Sequence, residues 1–309
     1  MSMEWTTEPP LRVEELVGED AAYAADVVGT TIEVVYQPQV HPLTGATIGA
    51  EALVRARRPD GSYANNAVWL PVLEQMGQTG PIDRHVAHIA LGVLARLRPV
   101  QPRMTMSLNL SPARSNIRYA ATLIELLTYY GLPGENVTVE ITETAAVDSM
   151  QLLAATTDAL KEAGVRVSLD DFGTGWSSLL LVQRLSLDEL KMDRSLINDL
   201  RDGLRTARAV ARGVLSIAEE LQLEVVAEGL ENQQHAVACS TWDFHRYQGW
   251  GFGRPSTPGN LHARLVDASP LIPARASQAR YDSIEQSLTA TGDDIEAMVT
   301  PKIGVPHVY

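Results

Sequence analysis

Cysteine is almost absent: Cys239 is the only one in 309 residues. No intramolecular disulfide and no multi-cysteine metal site can form, and a reducing compartment is expected. Positive charge is also scarce, with Lys+Arg 25 against Asp+Glu 38 and a net charge of −13. That field disfavours nucleic-acid polymers and anionic membranes as partners. A phosphate ligand would need a local device, such as a bound metal, to overcome it. No apolar run approaches the roughly 18 residues of a membrane helix. The opening Met1-Ser-Met-Glu-Trp-Thr-Thr-Glu-Pro-Pro10 carries acids where a signal peptide needs a basic region and an apolar stretch. These absences predict a cytoplasmic protein with neither a membrane nor a nucleic-acid polymer as partner. There is no internal repeat and no low-complexity block. What remains, 45% apolar and 20% charged residues, is the composition of an ordinary globule.

Short β-rich runs alternate with longer helical patterns from about Thr31 to Pro258. The β-like runs are Ile32–Tyr36, Thr47–Arg55, Met104–Asn109, Val137–Ile141, Val165–Asp170, Glu189–Lys191, Glu224–Glu228 and Phe244–Gln248. Helix-period stretches lie between them at Asp83–Leu97, Tyr119–Tyr130, Ser149–Ala163 and Thr206–Leu221, with Gly131 and Gly164 as stop signals. Strands alternating with helices imply βαβ units, and eight such strands predict an α/β fold of the TIM-like (β/α)8 barrel type. The first two runs are joined by too few residues for a crossover helix, so the first strand should be antiparallel. The chain is expected to divide into an N-terminal extension (residues 1–30), a catalytic domain (31–260) and a C-terminal helix and tail (261–309). Short helices are expected at Glu14–Val27 and Asp282–Leu288.

The strand ends carry the chemistry. Glu51 lies in the second run, Asn109 ends the third and Glu140 falls near the end of the fourth. Asp170-Asp171 closes the fifth, Lys191 the sixth, Glu228 the seventh and Gln248 the eighth. In a barrel the carboxyl ends of the strands ring one mouth, where active sites are built, so these residues should converge. One lysine cannot balance five carboxylates, and crowded carboxylates need cations. A donor set rich in oxygen, without thiolate or imidazole, suits Mg²⁺ or Mn²⁺. The adjacent acids Asp170 and Asp171 could bridge two ions. A single acid at a strand end is more often a helix cap or a surface charge, but caps favour Asp, Ser, Thr and Asn over the Glu and Lys found here.

These residues also carry a resemblance. Gly49-Ala-Glu51-Ala-Leu-Val-Arg55 is similar to the signature of the EAL family, phosphodiesterases that hydrolyse cyclic di-GMP. Further motifs of that family follow in order: Ser107-Leu-Asn109-Leu-Ser, Glu140-Ile-Thr-Glu143-Thr, Leu169-Asp-Asp-Phe-Gly-Thr-Gly-Trp-Ser-Ser178, Leu190-Lys-Met-Asp193, Ala227-Glu-Gly-Leu-Glu231 and Gln248-Gly. The resemblance implies that Glu51, Asn109, Glu140 and Asp170 ligate one metal ion and that Asp171 serves a second, with Asp170 bridging. It implies that Lys191 holds or activates the attacking water and that Glu228 and Glu51 complete the catalytic set. Gln37, Leu53, Arg55 and Gln248 match the substrate-binding set, and Glu143 the acid that steadies the loop Asp171–Ser178. It further implies two Mg²⁺ or Mn²⁺ ions, cyclic di-GMP as substrate and pairing into a homodimer near Leu179–Leu185. The chain departs from the family at Trp176, where Tyr is usual, at Ser186, where Pro is common, and in the glycine-rich run Gly249–Gly253.

Other signals carry less. Asp171-Phe-Gly173 resembles a kinase motif, but no kinase glycine-rich or catalytic loop accompanies it. His85 and His88 lack a third ligand nearby, and Cys239 reads as a small buried residue. Trp69, Leu70 and Leu73 read as core. Two alternatives stand beside the enzyme: a receptor that holds cyclic di-GMP without cutting it, and a protein-interaction module on the same fold.

Overall fold

The computed structural model describes Trp5 and residues 10–13, 29–110, 117–142, 150–173 and 178–267. The helices expected at Glu14–Val27 and Asp282–Leu288 lie outside the described residues, as do Glu143 and Trp176. Eight strands close into a barrel in chain order: β1 (Thr31–Val40), β2 (Thr47–Arg57), β3 (Thr105–Asn109), β4 (Val137–Ile141), β5 (Arg166–Phe172), β6 (Glu189–Met192), β7 (Glu224–Ala227) and β8 (Arg246–Gln248). The helices are α1 (Asn66–Gln75), α2 (Thr79–Leu97), α3 (Ile117–Tyr130), α4 (Met150–Glu162), α5 (Ser178–Arg184), α6 (Arg194–Arg201), α7 (Arg205–Leu221), α8 (Gln233–Cys239) and α9 (Pro258–Asp267). As expected, β1 runs antiparallel, and it does so to both neighbours, β2 and β8; all other pairings are parallel.

The side-chain period of two splits each strand between two environments. Outward positions such as Val137, Val139, Ile141, Val167, Leu169, Leu190 and Met192 are buried against the helix ring. The helices meet them with stripes of period 3.6: Ala120, Leu123 and Leu127 on α3, and Ala207, Ala211, Val214 and Ala218 on α7. Each large aliphatic side chain buried there contributes about 1.5–3 kcal/mol. Trp69 and Leu73 of α1 join this core, as does Cys239, whose thiol is pushed up to about 12 by burial.

Gly131 and Gly164 end α3 and α4 in the left-handed region, at φ +63° and +77°. The amide N–H groups of Leu132 and Val165 reach back to the carbonyls of Leu127 and Leu160. Short stops of this kind return the chain directly to the next strand. The inward positions are polar at nearly every level, from Arg246, Glu189, Thr138 and Ser168 up to Glu140 and Lys191, whereas barrel interiors are usually filled by branched aliphatics. Among the described residues no helix is long and apolar enough to cross a membrane.

Candidate active site

Lys191 is the centre of the barrel mouth. It points inward from β6, and its Nζ lies 2.7 Å from Glu228 Oε1, 2.8 Å from Glu140 Oε2, 3.3 Å from Asp170 Oδ1 and 3.8 Å from Glu51 Oε2. Four strands other than its own or their following loops thus supply one carboxylate each. Glu51 is held from both sides: Asn109 Nδ2 donates to Oε1 at 2.7 Å, and Gln248 Nε2 donates to Oε2 at 2.5 Å. Because the Asn109 amide donates through nitrogen, its oxygen is left to accept or ligate.

Asp170 and Asp171 are consecutive in β5 and would ordinarily point to opposite faces of the sheet. Asp171 instead takes a left-handed conformation, φ +55°, where the β5–β6 register shifts between Leu169 and Phe172. Aspartate tolerates this region better than most residues. The result is that carboxylate oxygens of Asp170, Asp171 and Glu228 all lie within 4.8 Å of one another.

The electrostatics follow from burial. Burial pushes Glu140 well above the usual carboxylate range, and the neighbouring charge of Glu51 adds to it. Burial raises Glu228 to about 8 against the pull of Lys191, and raises Asp171 to about 6 with help from Asp170 and Asp193. For Glu51, burial is outweighed by Lys191 and by the donors Asn109 and Gln248, which hold it below its ordinary value. Lys191 is opposed by burial, but Asp170, Glu140, Glu228 and Glu51 drive it well above a free lysine, so its Nζ stays an ammonium.

This arrangement fits divalent cations. Among the described residues no donor reaches Glu140 Oε1, and the Glu140 carboxyl stands against that of Glu51, an apposition that needs a shared proton or a cation. Five carboxylates, one amide oxygen and one ammonium leave a surplus of negative oxygen ligands, which suits Mg²⁺ or Mn²⁺.

Gln37 sits opposite Glu51 in the β1–β2 register. It lines a cavity of about 250 Å³ with Glu51, Asp170, Lys191, Glu228 and Gln248. Leu53 and Arg55 line a neighbouring cavity of about 390 Å³ that shares Glu51 with the first and also reaches Asn109. One guanidinium nitrogen of Arg55 donates to the Val54 carbonyl at 2.7 Å, which steers the group along the rim. Arg194, Glu231 and Trp250 also line the first cavity, and Arg254 stacks 4.0 Å from the Trp250 ring centroid. Sequence reasoning did not single out Arg194 or Trp250. Their only signal was position, just beyond the strand ends of Lys191 and Gln248. His88 proves to be a packing residue, with Nε2 3.0 Å from the Tyr130 hydroxyl.

Known proteins are similar to this chain. An uncharacterised protein of Mycobacterium tuberculosis is 32% identical over 246 residues, which cover 78% of this chain and 39% of that protein. A cyclic di-GMP phosphodiesterase of Pseudomonas aeruginosa is 27% identical over 240 residues, 77% of this chain and 41% of that protein. The chain therefore spans about two fifths of the length of each of these curated relatives. The solved structure of the PaMucR phosphodiesterase, a complex with c-di-GMP, superposes with a TM-score of 0.70 at 28% identity, covering 80% of this chain and 99% of that one. With its barrel, its strand-end carboxylates and a match to the family model over residues 22–255, the chain belongs to the EAL domain family.

Proposed function

We propose that the chain is a metal-dependent phosphodiesterase that hydrolyses cyclic di-GMP to linear pGpG in the cytoplasm and works as a homodimer. The observation that carries this reading is the ring of carboxylates around the Lys191 ammonium, with more negative charge than one lysine neutralises. Glu51, Asn109, Glu140 and Asp170 would hold one Mg²⁺ or Mn²⁺ and Asp171 a second, with Asp170 shared. Bound there, such ions would supply Lewis-acid charge to a phosphate oxygen and would lower the pKa of a coordinated water.

The chain's own groups do the remaining work. Lys191, fixed as an ammonium, donates to the attacking water and orients it rather than removing its proton. Glu228, whose Oε1 lies 2.7 Å from Lys191 Nζ, holds that ammonium over the site and would accept a hydrogen bond from water beside the ions. The water oxygen bonds to phosphorus, the bond to the 3′-oxygen breaks, and that oxygen leaves with a proton to give the linear product. Arg55 offers a planar fork to a phosphate oxygen, and Gln37 and Leu53 border the path of the nucleotide.

Incubation of the chain with cyclic di-GMP and Mn²⁺, followed by chromatography, tests the proposal. The expected result is pGpG from the wild type and none from Glu51→Ala. Tight nucleotide binding without product would instead make the chain a receptor. Turnover untouched by Glu51→Ala would refute the assignment.

A further inference from the structure

Gln39 and Gln248 stand directly opposite each other on β1 and β8, the two strands that close the barrel. Both are buried, 1% and 4% exposed. Gln248 Oε1 accepts from Gln39 Nε2 at 3.0 Å, and Gln248 Nε2 donates to Glu51 Oε2 at 2.5 Å. On the other side, Gln39 Oε1 faces Arg246 Nη1 at 3.5 Å, a nitrogen that also donates to Thr105 Oγ1 at 2.7 Å. Arg246 is in turn fixed by Glu224 Oε2, at 3.2 Å from Nε and 3.0 Å from Nη2.

The direction of this chain of amides is set from its arginine end. A guanidinium only donates, so an amide oxygen must face Arg246. That leaves the nitrogen of Gln39 for Gln248, whose oxygen must accept it and whose nitrogen is then turned to Glu51. Reversing either amide would set N–H against N–H or a carbonyl against a carboxylate. Gly49 provides the space: a Cβ there would lie 2.5 Å from Thr105 Oγ1 and 2.8 Å from Gln39 Oε1. The glycine two residues before Glu51 thus has a packing reason, which is to admit the amide that orients Glu51's donor.

We infer that Gln39 is a positioning residue for the metal site: it touches neither cation nor substrate, but holds Gln248 with its N–H on Glu51. This inference rests on the reading of Glu51 as a ligand of a divalent cation. A carboxylate of the same size at position 39 gives the discriminating test. Gln39→Glu would pair more strongly with Arg246, so a purely structural role leaves the melting temperature equal or higher. The new carboxylate would also capture the Gln248 N–H groups and turn the Gln248 carbonyl onto Glu51.

Manganese binding, read from the paramagnetic resonance signal of the free ion, is expected to weaken at least about tenfold in Gln39→Glu, since a hydrogen bond to a charged group is lost and a repulsion gained. Gln39→Met, which removes the amide without reversing it, should weaken binding by less and lower the melting temperature, because Gln248 Oε1 loses its donor. If the wild type fails to bind Mn²⁺, or Glu51→Gln binds it as well, the reading of Glu51 falls. If the wild type binds, Glu51→Gln does not, and Gln39→Glu matches the wild type, the role of Gln39 alone is overturned. Should Gln39→Glu not fold, unchanged Mn²⁺ affinity in Gln39→Met overturns it equally.

Discussion

Lys191 Nζ lies 2.8 Å from Glu140 Oε2 with both side chains almost fully buried, 1% and 0% exposed. Such a pair gains little over apolar packing while intact, but removing one partner leaves a buried charge uncompensated. Lys191→Met is therefore expected to lower metal-free stability by roughly 3–5 kcal/mol. It should not weaken metal binding, because the ammonium occupies the same carboxylates that a cation needs. Turnover should fall about a hundredfold or more through loss of the group that orients water. Thermal melts with and without Mn²⁺, beside product chromatography, separate the two effects. A variant that keeps wild-type turnover would refute the role of Lys191 in catalysis.

The same burial predicts an inverted pH dependence. In the metal-free fold Glu228 is pushed up to about 8 and Asp171 to about 6, so both retain protons that the unfolded chain has released. A group with a raised folded-state pKa contributes stability that is full below its unfolded value and lost as pH rises through its folded value. Metal-free stability should thus decline from about pH 5 to about pH 8. Metal binding needs these carboxylates deprotonated, so stabilisation by Mn²⁺ should grow over the same window. Melting temperatures in chelator and in excess Mn²⁺ across that range decide it. A metal-induced shift that stays constant with pH would contradict the assignment.

Asp171 combines charge with a left-handed backbone, φ +55°. Asn accepts that conformation about as readily, whereas a β-branched side chain does not. Without metal at neutral pH, Asp171→Asn should therefore melt at or above the wild type yet bind one Mn²⁺ ion fewer, while Asp171→Val should lose stability by roughly 1–3 kcal/mol relative to Asp171→Asn. Metal stoichiometry by mass spectrometry of the folded protein, paired with melting curves, provides the check. Equal stoichiometry in Asp171→Asn and wild type would remove Asp171 from the ligand set.

Much of this architecture is written in local pattern. Val137–Ile141 alternates branched apolar residues with polar ones and forms that same strand, and Gly131 and Gly164 stop their helices where expected. Polar residues ending each apolar run pointed to one mouth, because parallel strands of a closed barrel align their carboxyl ends. What local pattern does not carry is pairing across distance. Gln39 faces Gln248 from 209 positions away, so its role emerges only once β1 and β8 close the barrel. α1 was hidden for a different reason: Pro71 lies inside it, and the Asn65 cap that starts it resembles an ordinary loop residue. The left-handed turn at Asp171 has no sequence signature beyond the paired acids.

In the proposed dimer, α5 would tie the partner copy to the site. It follows the chain that leaves Asp171, and its apolar run is divided between two environments. Leu181, like Leu185 just past the end of α5, is buried, whereas Leu179 and Leu180 are 60% and 49% exposed. Covering two such leucines against a second copy would contribute about 1.5–3 kcal/mol for each when fully buried. Packing there would also fix the start of α5 and so limit the freedom of Asp171 upstream. Leu179→Glu with Leu180→Glu is expected to shift the protein toward monomer and to lower specific activity in step, with a melting temperature that falls by the dimer's share and no longer depends on protein concentration. Light scattering across a dilution series, with specific activity measured at each concentration, follows both quantities. A double variant that is monomeric and fully active would break the link between assembly and the site, and one that remains dimeric would place the interface elsewhere.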